Sequence, residues 1–195
     1  MLDKFYYKLN LNFLSPDAPA SHDIDVDPDV RWVTHSVDTD VYLHNDVKTV
    51  FNTMGLSVNS YLGANTMSLF RGSPGQYLEP HIDRGTCWAI NCVVGSQHSD
   101  MIWYSFADGV TVNDGYEIAT SNGRASYRAF RPDQLHEQAR AGLLGVYLVR
   151  IDMPHSINNY DHQQYRWCHS LKDAANRWSW AETVKRFEPY MYAQS

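Results

Sequence analysis

Between positions 57 and 171 the chain is a succession of short runs rich in Tyr, Trp, Val and Ile. They are SVNSYLGA, TMSLFRG, CWAINCVVG, MIWYSF, YEIAT, SYRAF, GVYLVRIDM and QYRWCHSL, and Gly, Asn and Asp separate many of them. β-branched and aromatic side chains fit a pleated, half-buried surface, so these runs predict strands. Parallel neighbours would each need a crossover of about a dozen residues, usually a helix, and this stretch has no room for them. The pattern therefore predicts an antiparallel sandwich or jelly roll, mainly β with helices only at its flanks. One flanking helix is predicted over residues 45–56, where Val47, Val50, Phe51 and Met54 follow helical spacing and Gly55 is a stop. A second is predicted over about 171–187, where Leu171, Ala174, Trp178, Ala181 and Val184 share a face and Pro189 lies just beyond.

A length of 195 residues predicts a single domain spanning 1–195, a barrel with N- and C-terminal helical flanks. Aromatics at 13% and charged residues at 19% exclude disorder over most of the chain. A formal charge of −6 with no Lys/Arg run argues against a nucleic-acid partner, since neutralising phosphates needs a concentrated basic patch. Cys87, Cys92 and Cys168 are odd in number and form no CxxC pair, which indicates neither a disulfide framework nor a structural zinc module. The opening MLDKFYYKLNLNFLSP has no basic region followed by an apolar stretch, and no 18 apolar residues stand in a row. A reduced, soluble, cytoplasmic protein with no membrane partner is the expectation. The Pro- and Asp-rich residues 15–29 read as an acidic surface connection.

Nine histidines against three cysteines turn attention to imidazole and carboxylate as metal ligands. In PGQYLEPHIDR, at 74–84, an extended backbone projects His81 and Asp83 from one face. A third ligand must come from far along the chain. The best candidate is His155 in VYLVRIDMPHSINN, where Val149, Ile151, Met153 and His155 share a face when read with period two. Arg150 and Asp152 then alternate to the other side as an exterior pair. Two histidines and one carboxylate leave three positions open, the facial arrangement of non-haem Fe(II) oxygenases. His136 in FRPDQLHEQ is the alternative third ligand, but FRPDQL reads as a turn, and choosing it leaves PHSINN and RWCHSL without a role. The remaining histidines default to surface or hydrogen-bonded positions. On a strand Arg166, Cys168 and Ser170 share a face, with His169 opposite. A guanidinium held inside a barrel must find an anion, and its fork suits a carboxylate. Trp167, Trp178 and Trp180 are expected to pack helix against sheet.

The segments PGQYLEPHID, WAIN, WY, LVRIDMPHSINN and YRWCHSL resemble the Fe(II)- and 2-oxoglutarate-dependent oxygenase superfamily over residues 61–171. The first is similar to its prolyl-hydroxylase branch, and PHSxN with RxxxS to a branch of small microbial and phage oxygenases. The resemblance implies a double-stranded β-helix of the jelly-roll, cupin-like kind. It implies His81, Asp83 and His155 as iron ligands, Arg166 and Ser170 on the distal carboxylate of 2-oxoglutarate, and Asn91 and Tyr104 as polar contacts to co-substrate or substrate. Fe(II), 2-oxoglutarate and O2 are the implied reactants, and hydroxylation the implied activity. Leu78 stands where the prolyl hydroxylases have a tyrosine, and Cys168 where the serine of an RxS pair would be.

The substrate is expected to be a small molecule or a peptide side chain, met by residues 15–45 and 107–140. The second stretch carries Arg124, Arg128, Arg131 and Arg140. A non-catalytic cupin-type binding module, and a metal enzyme on the same barrel without 2-oxoglutarate, are the competing expectations. Arg166 separates them, because neither needs a buried arginine for an oxo acid.

Overall fold

The computed structural model describes residues 4–21, 32–57, 59–60, 63–83, 85–119, 126–173, 175 and 177–193. Most of the acidic segment (22–29), Arg124 and Ala174 lie outside them. In chain order the strands and helices are β1 (Tyr6–Lys8), β2 (Trp32–Asp38), α1 (Thr39–Tyr42), α2 (Asn45–Thr53), β3 (Asn59–Ser60), β4 (Gly63–Ala64) and β5 (Thr66–Gly72). Next come β6 (Tyr77–Ile82), β7 (Trp88–Gly95), β8 (Ser99–Phe106), β9 (Tyr116–Ala119) and β10 (Ser126–Ala129). The last are β11 (Leu135–Ala141), β12 (Gly145–Arg150), β13 (His155–Asn159), β14 (Arg166–Leu171) and α3 (Trp180–Phe187).

Two six-stranded sheets carry the fold, sheet I in the order β1-β12-β7-β14-β5-β2 and sheet II in the order β11-β8-β13-β6-β10-β9. The pairings within both are antiparallel. From β5 to β8 the chain alternates between the sheets, pairs β8 with β11 inside sheet II, and alternates again from β12 to β14. This winding makes a jelly roll, a double-stranded β-helix, as the short strand-like runs predict.

The helices cover the outer face of sheet I. Val47, Val50 and Phe51 of α2, and Trp180 and Phe187 of α3, pack in one cluster with Met67, Leu69, Trp88, Ile90, Trp167 and Leu171. Strand alternation then points Ser68, Phe70 and Gly72 of β5, Ala89 and Asn91 of β7, and Arg166, Cys168 and Ser170 of β14 into the barrel. A second cluster of Ala89, Met101, Trp103, Val149 and Ile151 fills part of that interior.

Three expectations are corrected. The C-terminal helix is only α3, because Leu171 is the buried last residue of β14. Asp173 then accepts from the backbone N–H groups of Ala175 and Arg177, and Ser179 and Glu182 form the capping box that starts α3. GVYLVRIDMPHSINN is not one strand. β12 ends at Arg150 and Pro154 contributes no N–H, so the chain passes to sheet II before His155 opens β13. Arg150 and Asp152 do pair, at 2.6 Å. Finally, β1, β2 and β11 are strands that the short-run pattern does not mark.

Candidate metal centre

β6 lies between β13 and β10, and its last turn of pleat brings His81 directly opposite His155 on one side and Ala129 on the other. The register between β6 and β13 shifts beside His155, and such irregularities re-aim side chains. Asp83 follows just past the end of β6. Ligand atoms of His81, Asp83 and His155 all lie within 4.8 Å of one another. Both imidazoles are almost wholly shielded, at 6% and 3% exposure, so bulk water competes little for the site.

The backbone sets both ring tautomers. His81 Nδ1 lies 2.8 Å from the Glu79 carbonyl and His155 Nδ1 lies 3.0 Å from the Met153 carbonyl. A carbonyl only accepts, so each Nδ1–H donates and each Nε2 keeps its lone pair for a cation. Burial pushes both imidazoles down, His155 to about 3 with help from His81, so both are neutral ligands across the physiological range. Burial alone would raise the Asp83 carboxyl. Lys172, His155 and His81 outweigh it and hold the group well below the usual carboxylate range. Lys172 Nζ sits 2.5 Å from Asp83 Oδ2, while Oδ1 faces His81 Nε2 at 3.7 Å. One carboxylate oxygen is thus tethered and the other is turned to the centre. A neutral-His, anionic-Asp set with free Nε2 atoms suits a divalent first-row metal.

Facing this triad from sheet I is the inner row of β14. Arg166 is 1% exposed, and its Nη1 has no hydrogen-bond partner among the described residues. Burial lowers its pKa, the expected sign for a guanidinium held out of water. Its neighbours across the sheet are Gly72 of β5 and Gly95 of β7, which themselves bring no side chain against it. Gly95 has φ +93°, and a Cβ there would meet the Tyr165 carbonyl oxygen at 2.3 Å, so only glycine fits. Ser170 pairs with Asn91 of β7, whose buried Oδ1 is also unpartnered among the described residues.

The structure thus gathers His81, Asp83, His155, Arg166, Ser170 and Asn91 around one interior. Tyr104 is not among them. Trp103 is the residue opposite His155, so Tyr104 points to the outer face of sheet II, where its hydroxyl meets Ser156 Oγ at 2.8 Å. His136 lies exposed on β11, separated from β13 by β8, and is no part of the ligand cluster. Among the described residues of 107–140 the arginines do not form an open anion patch: Arg128 pairs with Glu117, Arg131 with Asp133, and Arg140 with Glu137 and Asp100.

Two residues of the site escape the sequence reading. Lys172 continues the alternation of 166, 168 and 170 by one step, which is the signal that could have found it. Tyr127 arrives on β10, with its ring 4.8 Å from that of His81. No local pattern announces it, because its place depends on β10 joining the edge of β6.

No protein-family model matches this chain, and no curated protein matches it by sequence. Among solved structures it is similar to an oxalate oxidase at 9% identity and TM-score 0.39, covering 89% of this chain and 76% of that one. It is also similar to a mutant of Bacillus subtilis oxalate decarboxylase, at 11% identity and TM-score 0.34, over 75% of this chain and 26% of that one. A third is vicilin from Corylus avellana, at 10% identity and TM-score 0.34, over 74% and 30%. The chain thus spans less than a third of the length of the decarboxylase and the vicilin. The jelly-roll assignment rests on the strand order itself, and the chain carries on that fold a group of two buried histidines and a half-buried aspartate able to hold a metal ion.

Proposed function

We propose that this chain is an Fe(II)- and 2-oxoglutarate-dependent dioxygenase that hydroxylates a small molecule or an amino-acid or peptide side chain. One atom of O2 goes to the substrate, the other to succinate, and CO2 leaves. Arg166 carries the reading: a fully buried guanidinium with an unspent N–H, on the wall facing a two-His, one-carboxylate centre. A metal-binding module has no need of that cation, whereas a dicarboxylate held at both ends does.

Iron at the triad would supply the open coordination positions and the redox chemistry that O2 activation requires. The chain's own residues do the rest. His81 and His155 present Nε2, and Lys172 keeps Asp83 presenting a single oxygen. Arg166 lies about 13 Å along β14 from Ser170, at the usual rise per strand residue, so its extended arm can meet the far carboxylate of a five-carbon diacid. Ser170 and Asn91 add a hydroxyl and an amide between the two ends. Ala89, Met101, Trp103, Val149 and Ile151 keep that part of the interior apolar and exclude water. Tyr127, half-buried beside His81, stands where a substrate would approach.

Anaerobic addition of Fe(II) and then 2-oxoglutarate is the test. A weak visible charge-transfer band is expected, followed by succinate release when O2 is admitted with substrate. Iron binding with no such band would overturn the oxygenase reading and leave a metal-binding jelly roll.

A further inference from the structure

We infer that Trp32 is a second anchor for the distal carboxylate, donating its indole N–H beside Arg166; the inference rests on the oxo-diacid reading above. Trp32 opens β2, a strand outside the alternating core of the barrel, and stands opposite Gly72. Gly72 in turn stands opposite Arg166, so Trp32, Gly72, Arg166 and Gly95 form one row across four strands of sheet I. Residues opposite one another on paired strands share a face, which places the indole and the guanidinium on the same inner wall.

The ring reaches toward Arg166 only because position 72 has no side chain. A Cβ there would lie 2.6 Å from Trp32 Cη2 and 2.7 Å from Cζ3, so the six-membered ring covers Gly72 itself. Trp32 Nε1 is buried and has no hydrogen-bond partner among the described residues. Two N–H donors in one row, Arg166 Nη1 and Trp32 Nε1, are therefore both unspent. An indole N–H can only donate, and a buried donor left unpaired is costly, so both groups call for an acceptor with several lone pairs. A carboxylate offers about four, enough for a guanidinium and an indole together. Asn159 braces this wall from below: its Nδ2 donates to the Gly72 and Ser73 carbonyls at 3.5 and 3.1 Å, and to the Gln164 carbonyl at 2.9 Å. A neutral second donor adds selectivity for a terminal carboxylate without adding another buried charge.

The test is calorimetric titration of the Mn(II)-loaded protein with 2-oxoglutarate and with 2-oxopentanoate, which has the same chain length but ends in a methyl group. Trp32→Phe keeps a ring over Gly72 and removes the N–H. Affinity for 2-oxoglutarate is expected to fall roughly tenfold or more, the range for a hydrogen bond to a charged group, with 2-oxopentanoate unchanged. Gly72→Ala, which drives the ring from its place, is expected to give the same selective loss. Metal affinity, unchanged in both variants, checks that the barrel is intact. No loss, or an equal loss for both acids, would overturn the role of Trp32. A wild-type protein that binds the two acids equally would overturn the oxo-diacid reading along with it.

Discussion

His81 and His155 stand directly opposite one another on adjacent antiparallel strands, with ring centroids 4.5 Å apart and planes inclined by 51°. Each ring is turned by a hydrogen bond to the carbonyl two residues before it, so a single motif, used twice on neighbouring strands, aims both Nε2 atoms at one point.

This pairing separates the two histidines that could complete the site. His155→Ala is expected to weaken Fe(II) binding by more than about a hundredfold, beyond what loss of an outer-shell partner costs. His136→Ala should leave it unchanged. Competition against a calibrated chelator measures both.

Lys172 tethers the oxygen of Asp83 that does not face the histidines. Lys172→Met is expected to reduce metal affinity about 10- to 100-fold, as for other groups that orient a ligand, and Lys172→Arg to recover part of the loss. Equal affinities in the three proteins would show that Asp83 is held by the backbone alone.

Acid sensitivity has a source away from the metal. His169 is fully buried on the helix-covered face of sheet I, and neither ring nitrogen has a partner among the described residues. Burial lowers its pKa from 6.5 to about 4, so on acidification the unfolded chain takes up this proton first. The stability it contributes is complete above pH 6.5 and is lost as the pH falls to about 4. His169→Leu is expected to flatten denaturation midpoints of the metal-free protein over that window while matching or exceeding wild type at pH 7. Parallel curves for the two proteins would refute it.

Ser179 closes a capping box with Glu182 at the start of α3, its hydroxyl 2.7 Å from the Glu182 carboxylate. Ser179→Ala is expected to cost about 1 kcal/mol and, in a domain of this size, to lower Tm by roughly 2–4 °C. Metal affinity should not move, because α3 packs on the outer face of sheet I, away from the triad.

What could be read from the sequence was what repeats locally. Alternation marks β5, β7, β8 and β14, and places Arg166, Cys168 and Ser170 on one wall. The i, i+2 spacing of His81 and Asp83 needs only an extended backbone. The same alternation, applied to β8, would have turned Tyr104 outward once Trp103 was known to face inward. What could not be read depends on pairing between distant strands. β11, LHEQARA, is an edge strand with polar residues on both sides, so neither its composition nor its period distinguishes it from a loop. Trp32 and Tyr127 reach the interior through strands appended to the barrel, and nothing within WVTHSVD or SYRA says which edge each will join. The supposed long helix after Leu171 shows the opposite error: apolar spacing continued through a turn that Asp173 and Arg177 organise with side-chain hydrogen bonds.

The triad belongs to sheet II and Arg166 to sheet I. Facing sheets in such folds lie about 10 Å apart, and here side-chain packing and a few polar links, Lys172 to Asp83, Trp103 Nε1 to the Arg150 carbonyl and Asn159 Nδ2 to the Gly72 carbonyl, span the gap. The proposed diacid, touching a metal at the triad and Arg166 at once, would be one more strut across the sandwich. Its binding free energy also opposes separation of the layers, so co-substrate concentration would set the protein's resistance to heat as well as its readiness to react.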